Sequence, residues 1–205
     1  MALRYINDML HLGEGRLINC FNNGALAIWD ISKDLSNDLQ PISYKKVHSS
    51  FTYKIRAVDG ETVLTCSNDL TAKLYDVETG DIIDSFLHEN PLWCAYPLNP
   101  HVFCSGGLTN SLLFWDTRSH RIIQKCTLEH EETSFITRLD THSLILGDGP
   151  DLLTCDLRKP VKQLFGNQKM KVSAECILVT GEEVIATGRG GDVRLFRKGE
   201  KYMPE

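Results

Sequence analysis

The sequence predicts an all-β chain, a β-propeller of about five four-stranded antiparallel blades that forms one domain over residues 1–205. Three observations carry that expectation. An apolar run closing on an aromatic–acidic pair recurs as Trp29-Asp30, Tyr75-Asp76 and Trp115-Asp116, and in altered form as Cys155-Asp156 and Phe196-Arg197, at steps of 46, 40, 40 and 41 residues. Self-similarity at such a period marks a repeat architecture. Between the closing pairs, short apolar segments alternate with turns rich in Gly, Asn and Asp, the pattern of strands joined by tight hairpins. No apolar stripe runs at i, i+3, i+4, i+7, so long helices have no support.

The units fall near 5–50, 51–90, 91–133, 134–171 and 172–205. In the second, YKIRAVD, TVLTCSND and TAKLYDV read as three strands and DIIDSF as a fourth. ISYKKV, RIIQKC and VKQLF hold that fourth place in units one, three and four, whereas the fifth unit lacks an outer strand. Four strands per forty residues is the repeat of a propeller blade. LAIW, LLFW and IATG are apolar on both faces, as stacked sheets require, so no unit buries its faces alone. The long first step contains SKDLSNDLQP, a polar loop with Pro41 between third and fourth strands, either merely solvated or a docking loop. Ser105-Gly106-Gly107 and the GRGG run at 188–191 lie on hairpins and read as turn formers, because a phosphate cradle needs a helix N-terminus behind it.

Bulk composition is that of an ordinary globular chain, 42% hydrophobic and 24% charged. A net charge of -5 gives no electrostatic reason to expect nucleic acid. No apolar run approaches the 18 or so residues that span a bilayer, and Asp8 arrives too early for a signal peptide, so no membrane is expected. Seven cysteines, several inside apolar runs and none in CxxC spacing, suggest buried thiols in a reducing compartment, cytoplasmic or nuclear. The histidines pair with no cysteine at zinc spacing, so neither metal nor cofactor is expected.

The endings WDIS, YDVETG and WDTR, with His48, His88 and His130 between units, resemble WD repeats from about Tyr5 to Arg197. Unit two matches best, with His48, Ser67, Asp69, Thr71, Tyr75-Asp76 and Thr79-Gly80. The resemblance implies a structural hydrogen-bond chain from Asp69 to His48, to a hydroxyl at Ser67 and to the Tyr75 ring. The other units depart from it. Asn23, Thr109, Gly149 and Gly190 stand at the Asp69 position, Cys155 replaces the aromatic residue, and no histidine precedes unit five. Seven blades are usual in the family and five are present. Three readings stand: a piece of a longer propeller, a closed five-blade ring with a ragged seam, or a strand donated by another chain to the open edge.

No nucleophile elbow, P-loop or dinucleotide fingerprint is present. The expected function is a non-enzymatic scaffold or adaptor that gathers other proteins on its loops. Candidate contacts, chosen by position, are Asn22, Asn23, Asn68, His88, Asn90, Thr109, Asn110, Asp148 and Arg189. A narrower alternative rests on Asp116-Thr117-Arg118 and Asp156-Leu157-Arg158, which would set two guanidinium groups on one rim. This pairing resembles WD-repeat substrate receptors of the cullin-RING ubiquitin ligase with a β-propeller adaptor, where the arginine enters the adaptor. The bland reading of each triplet is a local ion pair on a turn. A hydrolase with converging carboxylates or histidines in a deep axial pocket is the remaining alternative.

Overall fold

A computed structural model describes residues 5–32, 40–158, 165–169, 174–188 and 190–197. Its elements are all strands. The first sheet comprises β1 (Ile6–Gly13), β2 (Arg16–Phe21), β3 (Ala25–Asp30) and β4 (Ser43–Lys46); the second, β5 (Thr52–Ala57), β6 (Thr62–Ser67), β7 (Thr71–Asp76) and β8 (Ile82–Leu87). The third holds β9 (Leu92–Asn99), β10 (Val102–Gly107), β11 (Ser111–Asp116) and β12 (Arg121–Thr127); the fourth, β13 (Thr133–Arg138), β14 (Ser143–Asp148), β15 (Asp151–Asp156) and β16 (Phe165–Lys169). Among the described residues the fifth has three strands, β17 (Ala174–Thr180), β18 (Glu183–Gly188) and β19 (Val193–Arg197). Neighbours in sequence are neighbours in each sheet, so every connection within a sheet is a hairpin.

One irregularity recurs. The ladder between first and second strands skips a residue between Ile6 and Asp8, Thr52 and Lys54, Thr133 and Phe135, and Ala174 and Cys176. A bulge of this kind twists the strand and re-aims one side chain. Its recurrence at one place makes the repeat a property of the backbone as well as of the sequence.

The chain divides into two compact units, one of Met1–Cys104 with Phe114–Ile123, the other of Ser105–Leu113 with Gln124–Glu205. In the first, Ile18, Cys20, Leu26, Ile28 and Val47 of the first sheet and its exit pack against Ile55, Val63, Tyr75 and Val77 of the second. Further along, the Phe86 ring meets Phe103 edge-on at 5.0 Å and Trp115 at 5.9 Å. In the second unit, Phe135, Ile145 and Leu152 of the fourth sheet pack with Ile177, Val184 and Ala186 of the fifth. Burying one such large side chain stabilises the fold by about 1.5–3 kcal/mol, so sheet-on-sheet contact holds each unit together. This is the arrangement that two-sided apolar strands such as LAIW require.

Six cysteines are buried, in line with thiols acting as small hydrophobes, but Cys176 is exposed. Burial pushes the Cys66 and Cys155 thiols up to about 12, which leaves them protonated at neutral pH. Residues 33–39 of the polar loop and the segment after Arg197 lie outside the described residues.

Candidate functional site

Why do four of the five third strands close on aspartate? In four sheets the carboxylate turns back and caps the chain that leaves the strand. Asp30 Oδ1 accepts from the Ser32 amide at 3.0 Å, Asp76 Oδ1 from Glu78 at 2.8 Å, Asp116 Oδ1 from Arg118 at 2.9 Å and Asp156 Oδ1 from Arg158 at 3.0 Å. Short acidic side chains favour this self-capping turn because they reach an amide two residues on. The residue two places after the aspartate is thereby held outward, and its identity differs by blade: Ser32, Glu78, Arg118, Arg158.

Both arginines fold back onto their own aspartate in the same bidentate way. Arg118 Nη2 donates to Asp116 Oδ2 at 3.0 Å and Nε to Oδ1 at 3.4 Å; Arg158 Nη2 donates to Asp156 Oδ2 at 2.9 Å and Nε to Oδ1 at 3.0 Å. The side chains remain 67% and 63% exposed, so each guanidinium is oriented without being covered. Hydrogen bonding from Arg118, helped by the Ser119 and Arg118 amides, holds Asp116 down at about 2. Arg118 belongs to the first compact unit and Arg158 to the second.

The polar chain of the second blade is built around His48, which is buried. Its Nδ1 lies 3.0 and 3.1 Å from the two Asp69 oxygens, and its Nε2 lies 2.9 Å from Thr65 Oγ1. Asp69 also accepts from the Thr71 amide and hydroxyl at 3.0 and 2.6 Å and from the Ser49 amide at 2.9 Å. Burial alone raises an aspartate, but the bonds from His48 and Thr71 and the Ser49 amide outweigh it and hold Asp69 well below the usual range. The ring of His48 is pulled the other way, burial lowering its affinity for a proton. A neutral imidazole with Nδ1–H donating to Asp69 and Nε2 accepting from Thr65 satisfies both groups.

The fourth blade ties the same loop differently. Asp148 Oδ2 accepts from the Glu129 and His130 amides at 3.1 and 3.2 Å, and His130 Nε2 lies 3.1 Å from Asp151 Oδ2. The ring crosses Gly149, where φ is +54° and a Cβ would stand 3.0 Å from His130 Cγ.

No family model matches the chain. The WD40 beta propeller domain of Doa1 superposes with a TM-score of 0.78 over 92% of this chain and 62% of that one, at 14% identity. The WD repeat-containing protein 55 homolog of Dictyostelium discoideum is 22% identical over 91% of the chain and 46% of its own length. The DDB1- and CUL4-associated factor 5 of Homo sapiens is 28% identical over 56% of the chain and 14% of that protein. The Denticleless protein homolog of Danio rerio is 36% identical over 36% of the chain and 12% of that protein. The chain has the fold of a WD40 β-propeller and is similar in sequence to WD-repeat proteins. It spans less than half the length of each of these curated relatives.

Within this propeller frame several expectations need correction. The hydroxyl that meets His48 is Thr65, not Ser67; Ser67 Oγ instead accepts from the Asp69 amide at 3.0 Å. Tyr75 is buried on the strand beside that chain, and its phenol oxygen meets Ser43 of the neighbouring sheet. Trp29, at the equivalent place in the first blade, does reach across to Asn19 Oδ1. His88 and Asp148 are buried and are not surface contacts. His88 donates from Nδ1 to the Phe86 carbonyl at 2.9 Å and packs its ring 4.7 Å from Trp115.

The remaining position-based candidates divide by exposure. Asn23, Asn90 and Asn110 are exposed; Asn22, Asn68 and Thr109 are half-buried; Arg189 lies outside the described residues. Asn22 accepts from the Tyr5 amide at the entry to the first strand at 3.2 Å, and Asn23 from the Ala25 amide of its own turn at 3.1 Å. Position alone missed a row of aromatics. Phe51, Tyr53 and Trp93 stand at centroid spacings of 6.4 and 6.3 Å, with Phe51 44% exposed and the others half-buried. Tyr53 is the residue skipped in the second blade's bulge. A signal did exist in the sequence, because Tyr53 and Trp93 occupy the same place in consecutive units.

Proposed function

We propose that this chain is a non-enzymatic scaffold whose work is to hold other proteins. The observation that carries the reading is the row Phe51, Tyr53 and Trp93: partly exposed aromatics on first strands and their entry loop, mounted on a rigid sheet frame. Rigid Tyr and Trp side chains lose little entropy on docking and dominate protein interfaces. The buried polar groups described above are engaged in tying loops to hairpins, which is architecture rather than acid–base chemistry. Affinity purification with mass spectrometry is the test. The native chain is expected to retain a defined set of proteins that the Tyr53→Ala/Trp93→Ala variant loses while its circular dichroism stays unchanged. An identical set from both would remove the aromatic row from the reading.

A second, narrower reading is favoured by one observation. Arg118 and Arg158 present the same clamped, solvent-facing guanidinium, and one relative carries a name that associates it with DDB1 and CUL4. In this reading the two arginines dock a cullin-RING ligase adaptor and the chain acts as a substrate receptor. Arg118→Ala with Arg158→Ala abolishes capture of the adaptor in a pull-down and leaves the fold intact; unchanged capture, or none by the unaltered chain, removes the reading.

A further inference from the structure

The fourth blade carries a cluster for which the scaffold reading has no use. A carboxylate oxygen of Glu129, a ring nitrogen of His130 and a carboxylate oxygen of Asp151 all lie within 4.8 Å of one another. A second observation points at the same spot. Asp148 and Asp151 face each other as a register pair across the β14–β15 hairpin, which sends their side chains to one side of the sheet. Asp148 is fully buried and the Asp151 side chain is only 5% exposed. Each keeps one buried oxygen, Oδ1, without a hydrogen-bond partner. Two buried like charges opposite one another, each with an unsatisfied lone pair, form a costly arrangement unless positive charge joins them. The His130 ring supplies one contact to the pair, to Asp151 Oδ2, while its amide donates to Asp148 Oδ2.

We propose that Glu129, His130 and Asp151 bind a divalent transition-metal ion of the zinc class, with Asp148 as the buried carboxylate whose charge the ion balances. An imidazole with carboxylates and no thiolate suits zinc, whose nitrogen and oxygen ligands stand about 2.0–2.2 Å from the metal. Glu129 is exposed, so it is free to swing in and close the ligand set. The ion would fasten the β14–β15 hairpin to the loop entering β13, a task that His48 and Asp69 perform with hydrogen bonds in the second blade. The glycine at 149 lets the imidazole lie across the turn.

The test uses the full chain, stripped with a chelator and titrated with Co²⁺ and then Zn²⁺. One equivalent is expected to bind, with a d–d spectrum that lacks thiolate charge transfer, and zinc is expected to raise the melting temperature. Asp151→Asn and Glu129→Gln each weaken binding by about tenfold or more and blunt that rise. No uptake at micromolar metal overturns the proposal. So does a thiolate band, which would place the ion on cysteines such as the exposed Cys176, or binding indifferent to Glu129→Gln. Because Glu129 is exposed, that variant decides the matter even if Asp151→Asn does not fold.

Discussion

His88 leaves the outer strand of the second blade and turns inward, where Trp115 covers one side of its ring. Burial lowers its pKa from 6.5 to about 4, against a smaller opposing pull from the bond to the Phe86 carbonyl. The folded chain therefore keeps the ring neutral through a range in which the unfolded chain takes up a proton. Where the unfolded state binds more protons, stability rises with pH. The contribution is complete above pH 6.5 and is lost as the pH falls toward about 4. The shift corresponds to a contribution on the order of 3 kcal/mol. Urea denaturation at a series of pH values should show this slope, and His88→Gln should flatten it while leaving the part owed to His48. Asp69 acts lower: its depressed pKa stabilises the fold above the ordinary carboxylate range and ceases to do so only as pH falls through its folded value. A pH curve that His88→Gln leaves unaltered between 4 and 6.5 would refute the assignment.

At the scale of the element, the hairpin between β2 and β3 shows how one blade is sewn to the next. Gly24 sits at φ +86° and its carbonyl accepts from both Val47 and His48 amides, at 3.0 and 2.9 Å. A Cβ there would stand 2.1 Å from the His48 carbonyl oxygen and 2.7 Å from that of Ser50, both backbone atoms that cannot step aside cheaply. Gly24→Ala is expected to cost about 3 kcal/mol, the sum of left-handed strain and displaced backbone. Gly60→Ala, where a Cβ meets nothing within 4 Å, is the control and should cost less than 1 kcal/mol. Equal losses in the two variants would show that the close approach is not what matters. Strand existence and order were legible in the sequence because apolar runs and turn residues alternate so regularly. The bulges were not, since a skipped residue in a ladder depends on how two strands twist together. Nor was Thr65, because which hydroxyl meets His48 depends on the register that sets Thr65 opposite Lys73.

For the whole molecule, the period near forty made the propeller legible, whereas the function lies in side chains that the period does not constrain. His88 and Asp148 were misplaced because position within a unit says which loop a residue enters and not how far it turns inward. The aromatic row escaped because exposure, unlike hydrophobicity, is a property of packing. The arginine triplets were legible as turns, and their shared bidentate geometry adds a prediction about chemistry. A chain with net charge -5 gains little partner capture from diffuse positive attraction, so in the proposed receptor reading docking through Arg118 and Arg158 would rest on the shape of the guanidinium. The planar fork bonds its own aspartate with two nitrogens and leaves other donors facing outward; an ammonium is a point charge and cannot divide its donors in that fixed way. Arg118→Lys with Arg158→Lys keeps the charge and is expected to weaken adaptor binding by about tenfold or more, close to the loss from alanine. Surface plasmon resonance at two salt concentrations distinguishes the cases: if lysine retains the affinity and binding collapses with salt, charge alone is responsible and the fork has no role.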